Sequence, residues 1–311
     1  MYDVSIILVN YKSKFLTENC IKSIYNSQCQ LKFEIIVIDN HSEDGSVDYL
    51  RGKFPSVKVI DSKKNSGFAF ANNMGVRIAD GKYVLLLNND TVILRNMIDA
   101  LYRALETDSS IGVLGSRAVN GDNIELPITH KYENLKTIKL QTYLKPILEK
   151  LNIQRKLVSI FKQNESKNKE IIFTDWIAGS ALFLKRNLYY KINGLDENFF
   201  MYMEDEDLCH RINDAGYKVG ILNKIYYIHY CGGSTIQSYF LTKEYFKSRL
   251  LFFKRYFNKD FIFIKKSLYN QIKVINTNLS PQQLEKMKLE LDSYVNNYLE
   301  YETKNVKGVI R

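Results

Sequence analysis

Short apolar runs that end abruptly at Asn or Asp constrain this chain more than anything else in its sequence. In Lys82–Thr91, KYVLLLNNDT, the residues Val84 to Leu87 run straight into Asn88, Asn89 and Asp90. An unbroken apolar run stopped by polar residues reads as a central parallel strand covered on both faces. Val4 to Val9 (VSIILV) runs likewise into Asn10 and Tyr11, and Glu34 to Ile38 (EIIVI) into Asp39 and Asn40. Val57 to Ile60 reads as a further strand. Between these runs the pattern turns helical: Lys14 to Asn26 carries Leu16, Cys20 and Ile24 at four-residue spacing. A short helix reaches Phe54, and another spans Phe68 to Ala79 after a turn at Asn65–Gly67. Strand–helix repeats in this order predict a doubly wound α/β sheet with right-handed crossovers. In such a sheet the ligand binds outside the carboxyl ends of the strands, which is where the Asn and Asp residues fall.

The rest of the chain continues this plan less regularly. Arg95 to Glu106 reads as a helix and Ile111 to Leu114 as a buried strand. A strand is expected over Trp176 to Leu184, with Gly179 inside it. Asn193-Gly194 is a turn, Asp205 to Ala215 a helix, and Lys218 to Leu222 and Ile225 to Tyr230 two strands. From Tyr239 onward the pattern is helical, with a break near Ser280-Pro281. The predicted organisation is a catalytic α/β domain over residues 1–238, interrupted by a basic helical insertion at about 126–170. A basic, aromatic helical region follows over 239–311.

Composition limits the alternatives. The chain is 45% hydrophobic and 25% charged, as expected of a globular protein. No apolar run approaches the ~20 residues of a membrane helix. The N-terminal MYDVSIILVNY reads as a strand and not as a signal peptide. Cys20, Cys29, Cys209 and Cys231 form no C-x-x-C pair, which predicts reduced thiols in a cytoplasmic protein. The net charge of +10 is concentrated in two segments. Residues 126–172 hold 10 Lys and Arg against 4 Asp and Glu, and residues 239–273 hold 9 against 2. The remainder, including the strand ends, is slightly acidic.

The dinucleotide and P-loop fingerprints, G-x-G-x-x-G after the first strand and G-x(4)-G-K-[ST], are both missing. The chemistry-bearing residues are elsewhere. Asn88–Asp90 offers one carboxylate and two amide carbonyls, an oxygen-rich group suited to a hard divalent cation or a strand-to-turn cap. Asp39 suits the imino N–H of a pyrimidine, or a turn cap. In NSGFAFANNMGV, Gly67 permits close backbone approach at a helix N-terminus, a natural place for phosphate or ribose. Asn72 and Asn73 are poor helix formers in mid-helix. Phe199 to Arg211, FFMYMEDEDLCHR, places four acidic residues together at a helix start. The helix dipole favours one carboxylate there, but four repel one another, which raises pKa values usefully for a general base. His229 ends a strand and can partner Asp90.

Taken together, VSIILVNYKS, EIIVIDNHSEDGS, NSGFAFANNMGV, YVLLLNNDT, WIAGSALFLKR and GLDENFFMYMEDEDLCHRINDAGYKV resemble the family 2 glycosyltransferases of GT-A fold, especially their rhamnosyltransferase-like branch. The resemblance implies a Rossmann-like, mostly parallel sheet with flanking helices and a helical C-terminal extension. It implies that Val9, Asn10, Tyr11 and Asp39 meet the nucleotide of a nucleotide-diphosphate sugar, such as dTDP-rhamnose or a UDP-sugar. Asn65, Gly67, Asn73, Asn88 and Asn89 would line the donor. Asp90 would ligate Mg²⁺ or Mn²⁺ on the diphosphate, with His229 as a second ligand. Asp205 would be the catalytic base, supported by Glu204 and Asp207, and Trp176, Gly179 and Ser180 would face donor sugar and acceptor. The family often has two carboxylates in its metal motif, whereas Asn88 replaces the first here. That departure leaves open a catalytically weak homologue acting as a glycan-binding or partner subunit. The expected acceptor is a surface polysaccharide or lipid-linked glycan. The basic aromatic stretch after Tyr239 suits either an anionic membrane face, placing the enzyme peripherally on the inner side of the cell membrane, or helix packing. It carries no nucleic-acid motif, so no nucleic-acid partner is expected.

Overall fold

The computed structural model describes residues 1–138, 169–230 and 238–308. It divides into two compact units. The first takes the described residues of Met1–Tyr132, Phe161–Phe200 and Glu204–Gly232, and the second those of Glu133–Ile160, Met201–Met203 and Gly233–Arg311.

The first unit is an α/β sheet. Its strands are β1 (Tyr2–Asn10), β2 (Phe33–Asp39), β3 (Lys58–Asp61), β4 (Gly81–Asn88), β5 (Thr91–Ile93), β6 (Ile111–Val119), β7 (Glu125–Leu126), β9 (Ile171–Thr174), β11 (Ala181–Lys185) and β12 (Lys218–His229). The order runs β3-β2-β1-β4-β11-β6-β12-β5, with β7 beside β6 and β9 beside β12. A separate two-stranded ladder joins β8 (Thr129–His130) to β10 (Trp176–Ile177). Strands β3, β2, β1 and β4 are mutually parallel, as are β6 and β12. Between the two parallel groups, β11 is antiparallel to both β4 and β6. Helices α1 (Lys14–Asn26), α2 (Ser46–Lys53), α3 (Phe68–Arg77), α4 (Met97–Thr107), α5 (Arg186–Lys191) and α6 (Glu204–Asp214) flank the sheet.

The apolar runs are central: Val4, Ile6, Ile7 and Leu8 of β1 and Val84, Leu85, Leu86 and Leu87 of β4 are all buried, and Ser5 within the first run gives its hydroxyl to Glu34 Oε1 at 2.6 Å. The expected strand over Trp176–Leu184 is broken into β10 and β11. At the break the backbone donors leave the ladder: Ala178 N bonds Ile128 O at 2.9 Å and Gly179 N bonds Asp205 Oδ2 at 2.7 Å. The two strands expected over Lys218–Leu222 and Ile225–Tyr230 are instead one, β12, which runs through a register shift between Leu222 and Tyr226. Asn223 stabilises that bulge by bonding Glu170 O through its backbone and Lys169 O through its amide. The helix expected from Arg95 starts at Met97 instead, because Asn96 adopts left-handed backbone at φ 64°. The basic insertion expected at about 126–170 lies outside the described residues over 139–168. Cys231-Gly232-Gly233-Ser234 lies outside them too.

The second unit contains α7 (Tyr239–Tyr256), α8 (Phe261–Ile275) and α9 (Pro281–Gly308). Phe246, Leu250 and Phe253 of α7, Ile264 and Leu268 of α8, and Met287, Leu291 and Val295 of α9 are buried. The break expected near Ser280-Pro281 is where α9 begins. Ser280 and Gln283 exchange bonds there, Gln283 N to Ser280 Oγ at 3.2 Å and Ser280 N to Gln283 Oε1 at 2.9 Å. This is a capping box with Pro in the first helical position.

Candidate active site

The parallel register brings the polar strand ends into one row. Asn10 of β1 pairs with Asp39 of β2, Asp39 with Asp61 of β3, and Val9 with Asn88 of β4. Asp39 is buried and organises its neighbours: its Oδ2 accepts from Asn10 Nδ2 at 2.6 Å and from Ser42 Oγ at 2.7 Å, and its Oδ1 from Ser42 N at 2.9 Å. A carboxylate has about four acceptor positions, so one remains on Oδ1. Asn10 in turn accepts from Thr17 Oγ1 at 2.7 Å, and Asn89 Nδ2 donates to Ser13 Oγ at 2.7 Å and Thr17 Oγ1 at 2.8 Å. The first turn of α1 therefore ties β1 to the Asn88–Asp90 turn. Tyr11, next after β1, is half-exposed.

Beyond the turn, β5 pairs antiparallel with β12, and Thr91 lies opposite His229. That pairing puts His229 Nε2 at 3.1 Å from Asp90 Oδ1, both side chains largely but not wholly shielded. Asn88 Nδ2 is 3.5 Å from the same imidazole nitrogen, while Asn88 Oδ1 is buried with no hydrogen-bond partner. Among the described residues no three His, Cys, Asp or Glu gather as a metal cluster. The Asp90–His229 pair nonetheless fits a cation. One carboxylate oxygen and one imidazole nitrogen suit Mn²⁺, and Mg²⁺ ordinarily takes one or two protein ligands with phosphate and water completing its shell. The unpartnered Asn88 carbonyl beside them adds a further oxygen to that environment.

The acidic cluster lies at the start of α6. Asp205 Oδ2 accepts from Gly179 N at 2.7 Å and Asp205 Oδ1 from Glu206 N at 2.8 Å. A Cβ at Gly179 would meet Asp205 Cβ at 3.1 Å and its Oδ2 at 3.2 Å, so any side chain there would have to push the carboxylate aside by a few tenths of an ångström. The adjoining Ser180 carbonyl accepts from Asn88 N at 3.0 Å, and Ser180 Oγ lies 2.5 Å from Tyr227 OH of β12. One two-residue turn thus connects the carboxylate of α6 to both the β4 turn and the strand that carries His229. Burial raises the Asp205 pKa, with the N–H bonds of Gly179 and Glu206 pulling the other way. Burial pushes Glu204 well above the usual carboxylate range, and repulsion from Asp205 and Asp207 adds to it.

Several residues expected to face ligand are occupied within the fold. Asp207 is fully buried and ion-paired with Arg211 at 2.6 Å, which also clamps the carbonyl of Gly194. Asn73 is buried and gives its Nδ2 to Leu195 O at 2.8 Å and Glu197 Oε1 at 2.9 Å, while its Oδ1 accepts from Tyr189 OH and Leu195 N. Gly67 sits at φ 93° because the Phe200 backbone crosses it; a Cβ there would meet Phe200 Cα at 2.8 Å. Phe68 N, the first donor of α3, bonds Phe200 O at 2.6 Å. Asn65 Oδ1 caps this turn, accepting from Gly67 N at 3.1 Å and Asn40 Nδ2 at 2.8 Å. Trp176 stacks on His130 at 4.1 Å between ring centres. Sequence reasoning missed Ser13, Thr17, Ser42 and Tyr227. Ser13 and Thr17 were findable, being hydroxyls four residues apart at a helix start, on the face that meets a strand end.

The site is thus a mixed α/β sheet with polar residues along its carboxyl edge, an Asp90–His229 pair that suits a cation, and the shielded Asp205 carboxylate. Residues 5–150 match the family model described as glycosyl transferase family 2, and residues 160–231 match that described as the N-terminal domain of galactosyltransferase. The chain belongs to the family 2 glycosyltransferases and has their GT-A fold. It is 27% identical over 231 residues to the low-salt glycan biosynthesis hexosyltransferase Agl10 of Haloferax volcanii, covering 73% of this chain and 67% of that protein. It is 26% identical over 194 residues to the N-acetylglucosaminyl-diphospho-decaprenol L-rhamnosyltransferase of Mycobacterium tuberculosis, covering 59% of this chain and 62% of the relative. In fold it is similar to the mannosyltransferase PcManGT of Pyrobaculum calidifontis, solved with GDP-Man and Mn²⁺. That likeness has a TM-score of 0.56 at 15% identity and covers 98% of this chain and 83% of the other.

Proposed function

We propose that this protein is an inverting sugar transferase that uses a nucleotide-diphosphate sugar and delivers its sugar to a hydroxyl of a lipid-linked or polysaccharide glycan. The observation that carries the reading is Asp205: a carboxylate with raised pKa, fixed by the Gly179 and Glu206 N–H groups, on the turn that also bonds Asn88. The remaining acceptor position on Asp39 takes the imino N–H of a pyrimidine, which favours dTDP-rhamnose or a UDP-sugar as donor. A relative named for transferring L-rhamnose to N-acetylglucosaminyl-diphospho-decaprenol supports a rhamnosyl donor and a lipid-linked acceptor. Asp205 withdraws the proton of the acceptor hydroxyl as that oxygen attacks the anomeric carbon. The new C–O bond forms on the face opposite the departing diphosphate, so configuration inverts. A divalent cation held by Asp90 and His229 would supply charge neutralisation on the departing diphosphate. Positioned general bases contribute roughly 10²–10⁴-fold.

Asp205→Asn keeps the shape and removes the base. Transfer should fall by at least about 10²-fold while donor binding, measured by thermal shift or calorimetry, stays within about twofold. Wild-type turnover in that variant would overturn the assignment.

A further inference from the structure

Within the α/β unit, several polar ties meet at the break between β10 and β11. Ala178 N is bonded to Ile128 O, Gly179 N seats the Asp205 carboxylate at 2.7 Å, and Ser180 O accepts from Asn88 N at 3.0 Å. On the β4 side the ladder runs right up to the break, since Ala181 is in register with Leu87 and the Asn88–Ser180 bond extends the row. On the β6 side it stops short: the paired residues there are Phe183 with Leu114 and Leu184 with Val113. Backbone pairing therefore holds Ser180 from one side, and a side chain supplies the hold on the other. Tyr227 of β12 reaches across β6, and its hydroxyl shares a hydrogen bond with Ser180 Oγ at 2.5 Å. The β6 residues it passes are small: Ala118 is its register partner, and Ser116 lies on the same face two positions earlier. Tyr227, Ala118, Ser116 and Ser180 are all buried. A phenylalanine would fill the same apolar space, so what tyrosine adds here is the bond; a buried hydroxyl without a partner is costly.

We propose that Tyr227 is a positioning residue for the transfer step: through Ser180 it fixes the Gly179–Ser180 turn and so keeps the Gly179 N–H aimed at the Asp205 carboxylate. This rests on the reading of Asp205 as the base. Glycine has no side chain by which packing could hold it, so the direction of its N–H is set by the residues on either side. Ile128 secures Ala178, and Asn88 with Tyr227 secures Ser180. Without the Tyr227 hydroxyl the turn relaxes toward β4 and the carboxylate leaves its seat. The acceptor hydroxyl must lie within hydrogen-bond reach of the base, and misplacement is expensive in rate, about 10²-fold for 1 Å. The bonds that organise Asp39 run through Asn10, Ser42 and Thr17, and none of them passes through Ser180. The loss therefore falls on kcat and spares donor binding.

The test compares steady-state kinetics of full-length Tyr227→Phe, Ser180→Ala, the double variant and Asp205→Asn. The expected result is a kcat about tenfold lower in each single variant, with donor KM within about twofold of wild type. The double variant should fall no further than either single one, because both substitutions break the same bond. A kcat for Tyr227→Phe within about twofold of wild type, with Asp205→Asn inactive, overturns the positioning role and leaves the base assignment intact. Losses that multiply to about 10²-fold in the double variant overturn it too, since the two hydroxyls would then act separately. An active Asp205→Asn overturns the base assignment itself, and the inference with it. Should a single variant not fold because its partner hydroxyl is left buried and unmet, the double variant decides, as it removes both partners. Its kcat should be about tenfold low at unchanged donor KM, and wild-type kcat in it overturns the inference.

Discussion

Glu204 and Asp205 are adjacent, yet burial acts on them differently. Asp205 is shielded but accepts two N–H bonds, whereas Glu204 Oε2 is buried with no hydrogen-bond partner. The Glu204 pKa is raised in the folded state, chiefly by desolvation. Between the ordinary carboxylate pKa and the raised one, the folded protein holds a proton that the unfolded chain releases. Stability therefore falls as pH rises through that window. Removing the charge should help most at the high end: the Tm of Glu204→Gln should exceed wild type by at least about 2 °C at pH 8 and converge with it near pH 4. A gain that persists unchanged at pH 4 would refute the charge explanation. The same reasoning about charge applies to Asn88. If the cation sits on the Asp90–His229 pair as proposed, with the bound diphosphate completing its shell, EDTA should abolish transfer and Mn²⁺ restore it. Asn88→Asp adds a second anionic oxygen and should lower the Mn²⁺ concentration for half-maximal activity by about tenfold. An unchanged Mn²⁺ titration would place the cation away from this turn.

At the level of elements, α3 was expected to line a donor, but its buried polar residues hold other parts of the same unit together. Asn73 makes its bonds to Leu195, Glu197 and Tyr189, which fix the segment leading to Phe199 and α6. Asn73→Ala should then lower stability by about 2–4 kcal/mol through unmet buried groups, with donor KM within about twofold. A large rise in donor KM at unchanged Tm would return Asn73 to the donor site. Asn73 shows what the sequence could and could not convey. The strands β1, β2 and β4 were legible because apolar runs and their Asn or Asp stops are local signals. The capping box at Ser280 was a local signal of the same kind. The partner of Asn73 is 122 residues away, and no periodicity records it. The antiparallel β11 was equally hidden: its apolar run matches its neighbours, and direction is set by the connection, not by composition. The Asp90–His229 pairing was anticipated because both residues end strands. The Gly179 N–H that seats Asp205 was not, since a backbone donor leaves no mark in the side-chain pattern.

For the whole molecule, the open question is what its positive charge serves. The aromatic and basic stretch after Tyr239 suggested an anionic lipid surface, yet much of that charge is paired inside the helical unit. Lys243 bridges Glu290 at 3.0 Å, Lys247 bridges Glu244 at 3.2 Å, Arg249 bridges Glu133 at 3.0 Å and Lys265 bridges Asp292 at 2.6 Å. Lys247 also covers the ring of Tyr294 at 4.5 Å, and Lys254 that of Phe261 at 5.2 Å. Phe246, Phe252 and Phe253 are buried, whereas Phe240 is half-exposed. Among the described residues no helix is long and apolar enough to cross a membrane. A basic residue already neutralised by a carboxylate contributes little to a surface field, and what remains is screened beyond a Debye length of about 8 Å at physiological salt. Flotation with vesicles containing anionic lipid should therefore recover little protein at physiological salt, and little more than vesicles of neutral lipid. Strong recovery confined to anionic vesicles would show that charge outside these pairs makes a membrane face. An acceptor that is lipid-linked, as proposed, would then be met at that face and not carried to the enzyme.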